Sequence, residues 1–474
     1  MAGRTPRPPS NLSRRAFLAA SGAAMPLMGG LSSAEAAPKR PNILVVHTDD
    51  QARWAMGGYG NDDIHTPNMD LVAAQGALLT RAFVSTPVCS PARATLMTGL
   101  DSIQHHVEDW LHPEKEPDLG IEPGFVLFPE LLREAGYATG YVGKWHLGLQ
   151  PRHHPLRRGF DYFMGFLEGG TKPLDPTLEI DGETAQRKGW LVDMLTDAAI
   201  AYIGEHRKGP FFCMVSYRNP HAPWTPVQPE DAAHYEGKDL TLFRGSDVNP
   251  KKVERMLREY YACCSAVDRN LGRLLTKLDE LAIADDTLVL FTGDNGYMIG
   301  QHGLHSKGNA HSIKPPRTCR PNMFDPSVLV PLAIRWPGVV EPGTRINEMV
   351  GQIDFFPTLC DIARVPAGAR PKVEGISFLP LLEGREVPWR DAFFGSFDQH
   401  HYDPSANLRM IRTDAWKLVR NYKTGPDELY HLATDPDELK NLADDPGAQA
   451  IKESLRKRLV AWQRGLGDEV LGER

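Results

Sequence analysis

Two apolar segments that end in acidic residues constrain this chain most strongly. Residues 42–50 read NILVVHTDD and residues 287–296 read TLVLFTGDNG. Each segment has the composition of a buried strand, and each places hard oxygen donors at its carboxyl end. The carboxyl ends of parallel strands meet at one edge of a sheet, so the pattern predicts a polar site at that edge.

The rest of the first 365 residues alternates strand and helix patterns. This alternation predicts an α/β fold with a large mixed, mostly parallel sheet sandwiched by helices. The predicted helices lie near 67–75, 91–98, 129–135, 190–206, 250–283 and 355–363, and further strands at 138–142, 211–217 and 330–336.

The composition shifts near 366–390, where Pro, Gly and Glu recur. Short strand-like pieces follow, DAFFGSF, LRMIRT and WKLVRNY, and a last helix is predicted at about 449–465. We therefore expect a large domain over 38–375, which carries the polar strand ends, and, over 376–474, a smaller C-terminal α+β subdomain with a small antiparallel sheet and a terminal helix.

The first 37 residues have the pattern of a twin-arginine signal peptide. Arg14 and Arg15 precede a weakly apolar, alanine-rich stretch, and Ala34-Glu35-Ala36 is a small-x-small cleavage signal. The sequence predicts export by the twin-arginine machinery to the periplasm or the outside of the cell. No later apolar run is long enough to span a membrane, and a net charge of −7 argues against a nucleic-acid surface.

Six cysteines occur without a CxxC pair, and export leaves room for one or two disulfides. Cys213 and Cys360 have the surroundings of core residues. Cys89 stands apart, because it precedes a helix-like segment, a place that lowers a thiol pKa and favours an anion. From the residues alone it is either a structural thiol or a thiol nucleophile with a histidine base, although nearby carboxylates disfavour a thiolate.

The strand-end residues admit two interpretations. Asp49, Asp50, Asp294 and Asn295 together would bind a hard divalent cation, Ca²⁺ or Mg²⁺. A single strand-end aspartate is more often a cap or a turn former. The occurrence of two such ends favours the metal site.

Cys89-Ser90-Pro91-Ala92-Arg93, followed by ATLMTG, resembles the CxPxR signature of the type I, formylglycine-dependent sulfatases of the alkaline phosphatase superfamily. GYATGYVGKWHLG at 136–148 resembles the second signature of that family. Further matches stand in family order over nearly the whole mature chain: DDQARW, RRGFDYFMGF, SYRNPHAPW, TGDNG and DELYHLATDPDELKNL.

The resemblance implies that a formylglycine-generating enzyme oxidises Cys89 to Cα-formylglycine and reads Pro91 and Arg93 while doing so. The aldehyde hydrates to a geminal diol. One hydroxyl attacks the sulfur of a sulfate ester, and the other then expels sulfate, which splits one hard step into two.

Roles for the other residues also follow from the resemblance. Asp49, Asp50, Asp294 and Asn295 bind Ca²⁺ together with the modified Cys89, and Arg93 stabilises the ionised diol. Lys144 and His146 bind sulfate and the diol, with His146 as the base for sulfate expulsion. His221 and Lys307 contact the sulfate and assist the leaving oxygen.

Some positions depart from the family pattern or are only specificity candidates. Leu329 replaces an arginine common in the family, and the loop 308–321 is unusually long, with Lys314, Arg317 and Arg320. We hypothesise that this loop lines the substrate mouth and meets an acidic aglycone or a uronate; the alternative is a solvated loop. His302 is either a supporting or a surface residue. His105, His106, Trp110, His400 and His401 are specificity candidates, and adjacent histidines do not predict zinc.

The sequence therefore predicts a secreted hydrolase of sulfate esters, with an O-sulfated glycan, aryl or alkyl sulfate as substrate. One alternative is a phosphonate or phosphate ester hydrolase of the same superfamily, and relative kcat/KM values on sulfate and phosphonate esters separate the two. A non-catalytic carbohydrate-binding relative would bind oligosaccharide without releasing sulfate. A thiol hydrolase would be inactivated by thiol alkylation.

Overall fold

The computed structural model describes residues 40–243, 248–423 and 425–473. The predicted signal peptide 1–37 lies outside these ranges. Residues 40–474 form one compact unit. Among the described residues, no helix combines the length and the apolar composition needed to cross a membrane.

Strands fall into one large and two small sheets. In chain order they are β1 Asn42–Asp49, β2 Ala77–Phe83, β3 Ala138–Lys144, β4 Tyr162–Phe166, β5 Thr177–Ile180, β6 Glu183–Gln186, β7 Phe211–Pro220, β8 Thr287–Gly293, β9 Met298–Ile299, β10 Leu304–Ser306, β11 Asn309–Ser312, β12 Cys319–Pro321, β13 Leu329–Val330, β14 Leu332–Arg335, β15 Thr344–Gly351, β16 Ala392–Gln399, β17 Ala406–Thr413, β18 Trp416–Asn421 and β19 Glu428–His431.

Helices cover both faces of the large sheet. They are α1 Pro67–Ala74, α2 Cys89–Thr98, α3 Ser102–His105, α4 Phe128–Glu134, α5 Leu191–His206, α6 Pro229–Ala233, α7 Pro250–Glu280, α8 Asp325–Val328, α9 Phe355–Ile362, α10 Leu379–Leu382 and α11 Gln449–Leu466.

The large sheet has the order β13-β2-β14-β8-β1-β7-β3-β4-β5-β6, with β15 paired to β2. Its centre is parallel, since β1 pairs in parallel with β7 and β8, and β3 with β7 and β4. Antiparallel strands β14 and β5 flank this centre. The predicted fold, a mixed sheet between helices, is confirmed.

Alternate residues of β1 enter two different cores, as the two-residue period of a strand requires. Ile43 and Val45 pack with the core that holds residues of α2, α4 and α9. Leu44 and Val46 pack with the core that holds residues of α1, α5 and α7. Burial on both faces explains why β1 reads as a continuous apolar run.

The C-terminal part has the predicted elements. Strands β16 to β19 form an antiparallel sheet in sequence order, and α11 packs on it through Leu455 and Leu459. The prediction of a single strand at 330–336 is wrong in one respect, because the structure has two strands there, β13 and β14. They are separated by Pro331, which has no N–H to donate to a neighbouring strand.

All six cysteines lie in the described residues as free, buried thiols. The disulfides that export would permit are therefore not formed in this structure. Cys213 lies inside β7 and Cys360 inside α9, and both belong to the apolar cores, as predicted.

Candidate active site

The two acidic strand ends lie side by side. β1 and β8 are parallel neighbours, with Thr48 opposite Gly293. The backbone N–H of Asp50 donates to Asp294 Oδ1 at 2.9 Å. Asp50 has a φ of 66°, a left-handed turn that aspartate tolerates better than most residues. The chain therefore turns sharply at the strand end, and its carboxylates stay together.

Oxygen donors converge at this edge of the sheet. Asp49, Asp50 and Asp294 each offer a carboxylate oxygen, and these three atoms lie within 4.8 Å of one another. Asn295 Nδ2 donates to Asp50 Oδ1 at 2.8 Å, while Asn295 Oδ1 is buried without a hydrogen-bond partner among the described residues. Carboxylate and amide oxygens are the ligands of hard cations such as Ca²⁺ and Mg²⁺, so these residues fit such an ion.

Electrostatics in this cluster support the same interpretation. Burial and the charge of Asp49 raise the pKa of Asp294 to about 7. Burial alone would raise the pKa of Asp49 as well, but Lys144, His221 and Lys307 hold it well below its usual value. Repulsion between close carboxylates is relieved when a cation binds between them.

Cys89 is the first residue of α2 and lies beside the acidic cluster. Its thiol donates to Asp49 Oδ1 at 3.3 Å, and Lys307 Nζ donates to Cys89 Sγ at 2.7 Å. Burial, followed by the charge of Asp49, raises the pKa of the Cys89 thiol to about 12. The expectation that the helix start lowers this pKa is wrong, since desolvation and a carboxylate outweigh the helix dipole.

Arg93 lies one turn further along α2. It donates to Asp294 Oδ2 through Nε at 3.0 Å and through Nη2 at 2.8 Å. Its Nη1 donates to the carbonyl of Lys144 at 2.8 Å and to Ser216 Oγ at 2.7 Å. Arg93 therefore fixes the positions of Asp294 and of the end of β3.

Lys144 ends β3 and is fully buried. Its Nζ lies 2.6 Å from Asp49 Oδ2. Lys307 lies on the opposite side of the centre, where Nζ contacts Asp50 Oδ1 as well as the thiol of Cys89. Burial alone would lower the pKa of Lys307, but Asp50 holds it well above its usual value. Two ammonium groups thus border the cysteine.

His146 follows β3 with a φ of 55°. Its Nε2 lies 3.2 Å from the carbonyl of Leu111, which assigns the proton to Nε2 and leaves Nδ1 as the basic nitrogen. Nδ1 is buried without a partner among the described residues. Burial, then Lys144 and Arg93, lower the pKa of His146 well below its usual value, so the imidazole is neutral.

Gly169 covers the ring of His146. A Cβ at this position would lie 2.8 Å from His146 Nε2, which is closer than Cβ atoms approach. The glycine is needed for this contact.

His221 lies after β7. Its Nδ1 is 2.6 Å from the carbonyl of Ala222, which assigns the proton there and leaves Nε2 free to accept one. Nε2 lies 3.8 Å from Asp50 Oδ2. Burial lowers the pKa of His221 to about 4, against the opposing charges of Asp49 and Asp50.

A cavity of about 500 Å³ opens above this centre. The predicted site residues fall into two layers. Asp49, Arg93, Lys144, Asp294 and Asn295 lie beneath the cavity and are fully buried. Those that line it are Asp50, Cys89, His146, His221 and Lys307.

The specificity candidates separate in the structure. Trp110 lines the cavity. His105 is buried, with Nε2 3.1 Å from Thr95 Oγ1, and His106 is exposed away from the cavity. His400 and His401 also lie outside the lining and approach Glu116.

The long loop reaches the cavity by other residues than expected. Its residues Asn309 and His311 line the cavity, while Lys314, Arg317 and Arg320 do not. Arg320 instead pairs with Glu428 at 2.9 Å. The hypothesis that these three cations meet an acidic aglycone or a uronate is therefore not supported, because none of the three lines the cavity.

Two further positions are placed outside the centre. His302 stacks on Phe324 with ring centroids 3.7 Å apart, away from the cavity, so it is a packing residue. Leu329 is buried in β13. The nearby Asp325 pairs with Lys417 at 2.5 Å and with Arg412 at 3.3 Å.

Sequence reasoning missed several residues at the site. Tyr260 of α7 donates to the carbonyl of Asp50 at 2.7 Å, and Ser216 accepts from Arg93. Glu168, His305 and Tyr402 line the cavity. Ser216 and Tyr260 carry no chemical signal, because a hydroxyl that supports another side chain looks like any other hydroxyl. Glu168 lies two residues after the end of the RRGFDYFMGF motif, so the motif marks its neighbourhood but not the residue itself.

Comparison with known proteins identifies the family of this chain. The sulfatase family profile matches residues 41–365, and the profile of the N-sulphoglucosamine sulphohydrolase C-terminal region matches residues 320–465. The chain belongs to the sulfatase family. Members of this family are hydrolases of sulfuric esters within the alkaline phosphatase superfamily, which agrees with the predicted class of enzyme.

Three proteins are similar to this chain over most of its length. The sulfatase is 27% identical over 469 residues to N-acetylglucosamine-6-O-sulfatase of Bacteroides thetaiotaomicron, covering 81% of this chain and 79% of that protein. A solved protein in complex with its substrate D-glucosamine-2-N,6-O-disulfate matches with a TM-score of 0.76 and 26% identity, over 91% and 99% of the chains. The phosphonate monoester hydrolase of Agrobacterium radiobacter matches with a TM-score of 0.73 and 25% identity, covering 91% of this chain and 97% of that chain.

Proposed function

We propose that this sulfatase hydrolyses a sulfate ester of a saccharide through a formylglycine made from Cys89, with the help of Ca²⁺ or Mg²⁺. The observation that carries the proposal is the position of Cys89. Its Sγ faces the cavity between Lys307 and the carboxylates of the cation site. A hydrolytic nucleophile placed there meets both a positive charge for the sulfate and a cation for its own activation.

The unmodified thiol is unsuited to this task. A thiol with a pKa of about 12 carries very little thiolate at neutral pH. Formylglycine supplies a hydrated aldehyde, whose second hydroxyl permits release of sulfate. The same thiol pKa disfavours a thiol hydrolase. Pro91 and Arg93 complete the CxPxR pattern that supports conversion.

The cation would be held by Asp49, Asp50, Asp294 and Asn295 together with the modified residue 89. When bound, such an ion acts as a Lewis acid that lowers the pKa of an oxygen nucleophile and neutralises charge on sulfate. Arg93 keeps Asp294 in place through two hydrogen bonds. It acts as a positioning residue in this structure, because its donors are all directed at Asp294, Lys144 and Ser216.

The remaining side chains bind sulfate and move protons. Lys307 and Lys144 stabilise the negative charge of the ester oxygens. His146 holds its Nδ1 unprotonated and accepts the proton that must leave residue 89 when sulfate departs. His221 lines the cavity, and its Nε2 is free to accept a proton. A bound sulfate favours its protonation, after which it can donate to the leaving oxygen.

The saccharide substrate is supported by the similar proteins. One is an N-acetylglucosamine-6-O-sulfatase by name, and the other contains D-glucosamine-2-N,6-O-disulfate. Both names describe a sulfate on O6, the exocyclic oxygen of an amino sugar. An exocyclic sulfate reaches into a deep cavity while its ring stays at the mouth, and the depth of Cys89 in the cavity suits such a substrate.

Maturation and export belong to the same proposal. Residues 1–37 act as a twin-arginine signal, and the folded enzyme reaches the periplasm or the medium. A formylglycine-generating enzyme converts Cys89 in the cytoplasm before folding buries it, because Cys89 is only 3% exposed in the folded chain. We also propose the division into 38–375, which carries every predicted site residue, and 376–474.

A phosphonate monoester hydrolase is the second candidate. The likeness to the Agrobacterium enzyme favours it. Sulfate monoesters and phosphonate monoesters both carry a single negative charge on a tetrahedral centre, so one site can bind either. The ratio of kcat/KM for the two esters of one phenol decides between these activities.

The proposed function is tested on protein produced with a formylglycine-generating enzyme. Mass spectrometry of the Cys89 peptide first measures conversion, and sulfate release is then followed from a small aryl sulfate and from N-acetylglucosamine-6-O-sulfate. We expect release that scales with the converted fraction. Converted protein that binds the sugar but releases no sulfate would identify a non-catalytic carbohydrate-binding relative instead.

A further inference from the structure

We infer that Glu168, Trp110 and Tyr402 form a subsite that selects a sugar ring without a second negative charge. This inference rests on the proposed function and specifies its substrate class. It starts from the outer wall of the cavity, the part beyond the sulfate-binding residues.

The charge of this outer wall is negative. Among the described residues, Lys307 is the one lysine or arginine that lines the cavity, and it lies at the floor beside Cys89. Glu168 is exposed at the wall and makes no hydrogen bond or ion pair with any described residue. Its charge therefore acts on whatever occupies the cavity mouth.

Two further histidines that line the cavity add no positive charge at neutral pH. His305 and His311 face each other across β10 and β11, with ring centroids 6.3 Å apart. Burial lowers the pKa of His305 to about 4 and also lowers the pKa of His311. As neutral imidazoles they hydrogen-bond to hydroxyl groups but do not attract a carboxylate or a second sulfate.

Two aromatic rings supply flat surfaces for a sugar ring. Trp110 comes from the loop after α3 and Tyr402 from the loop between β16 and β17. Their ring centroids lie 6.5 Å apart at 32°. Trp110 Nε1 is buried and donates to no acceptor among the described residues. Aromatic faces pack on the C–H face of a pyranose, and a neutral pyranose loses little solvation there.

Asp109 holds the two loops together. Its Oδ1 accepts from the backbone N–H of Trp110 at 2.8 Å, and its Oδ2 accepts from the N–H of His400 at 3.0 Å and of His401 at 3.3 Å. Glu116 meets both imidazoles on the other side. The subsite is therefore preorganised, and the specificity candidates His400 and His401 act as positioning residues for Tyr402.

The test compares two sugars that differ by one charge. N-acetylglucosamine-6-O-sulfate carries one sulfate, and glucosamine-2-N,6-O-disulfate carries a second. We expect kcat/KM to favour the monosulfate by roughly tenfold, the size of one charge repulsion in a partly solvated cleft. Glu168→Gln should remove most of this preference by improving the disulfate, whereas Glu168→Asp should keep it.

Matched controls separate the subsite from the chemistry. Glu183→Gln changes an exposed glutamate outside the cavity and should leave the ratio unchanged. Trp110→Ala should raise KM for both sugars by roughly tenfold, since both lose the same aromatic surface. If Glu168→Gln leaves the ratio unchanged, or if the disulfate is preferred from the start, the inference is overturned.

Failure of the proposed function remains distinguishable. Protein with proven formylglycine that cleaves neither the aryl sulfate nor the sugars refutes the proposed function. The subsite is then judged by calorimetry, as the ratio of dissociation constants of the two sugars for the Cys89→Ala protein. Equal affinities in Cys89→Ala, or affinities unaffected by adding Glu168→Gln, refute the subsite.

Discussion

Two buried clusters of opposite charges in this molecule differ in how completely their polar atoms are hydrogen-bonded. In the C-terminal part, Arg409 donates to Asp398 and Asp468 from all three guanidinium nitrogens, at 2.7 to 3.0 Å. At the catalytic centre, Arg93 is bonded equally well. Beside it, however, Asn295 Oδ1 and His146 Nδ1 are buried without partners among the described residues.

The difference shows how burial serves stability in one place and chemistry in the other. Taking charges out of water costs free energy in both clusters. The Arg409 cluster recovers that cost through its own hydrogen bonds. The candidate active site keeps close carboxylates and a thiol facing a cavity, where the proposed cation and a substrate would complete it.

The largest effect should come from Cys89→Ala, which removes the precursor of the nucleophile. We expect sulfate release to fall by more than about 10³-fold, with a melting temperature close to that of the parent protein. Cys360→Ala, in the core at α9, is the control and should keep its activity per folded molecule. Substantial turnover in Cys89→Ala would mean that the nucleophile is another group.

Removal of the cation should impair the candidate active site and leave the Arg409 cluster unchanged. Treatment of converted protein with a chelator, followed by desalting, should reduce sulfate release by roughly 10²-fold or more, and added Ca²⁺ or Mg²⁺ should restore it. Metal analysis before and after chelation checks the result. Full activity in protein shown to be metal-free would disprove the cation site.

Arg409→Met should disrupt the Arg409 cluster and leave the candidate active site unchanged. It leaves Asp398 and Asp468 buried without their cation, which costs about 3 kcal/mol of unfolding free energy. Urea unfolding measures the loss. Arg456→Met, on the exposed face of α11, should cost less than about 0.5 kcal/mol. An active-site defect in folded Arg409→Met would show that the two clusters are coupled.

Protonation should compete with the cation at Asp294. Because the pKa of Asp294 is raised to about 7, it is protonated in metal-free protein at lower pH. Binding must expel this proton, so the affinity for Ca²⁺ should fall up to about tenfold per pH unit below pH 7 and level off above it. Calorimetry in two buffers measures the proton release. Affinity that does not change between about pH 5.5 and 7.5 would contradict this assignment.

The smallest effect should come from Arg317→Ala. Arg317 is exposed on the long loop and does not line the cavity. We expect KM for anionic substrates to change by less than about twofold and stability by less than about 0.5 kcal/mol. Steady-state kinetics on the monosulfated and disulfated sugars checks this. A large rise in KM would bring the basic loop back to the substrate.

The fold was predictable where elements carry their own pattern. β1, β8 and α7 were predicted to within a few residues, because a buried strand is a continuous apolar run and a long amphipathic helix has a helical hydrophobic period. The small sheet of β9 to β12 was missed. Its strands have two to four residues each, and pairing between neighbours, rather than composition, makes them strands.

The candidate site was predictable where residues recur in a motif. Asp49, Asp294 and Cys89 were selected by strand ends and by the CxPxR pattern, and the structure brings them together. Glu168, Tyr402 and Asp109 were not selected, because a single glutamate, tyrosine or aspartate in a loop carries no local signal. Their importance depends on which loops lie next to each other.

The sequence by itself determined the class of fold, the family and the chemical groups of the centre, since these follow from periodicity and from motifs that lie close along the chain. Only the tertiary structure decided the state of those groups. It raises the Cys89 pKa by burial, leaves Nδ1 of His146 without a hydrogen-bond partner among the described residues, and keeps the three cations of the long loop out of the cavity lining. These properties depend on distances between segments far apart in sequence, and desolvation and charge act through such distances.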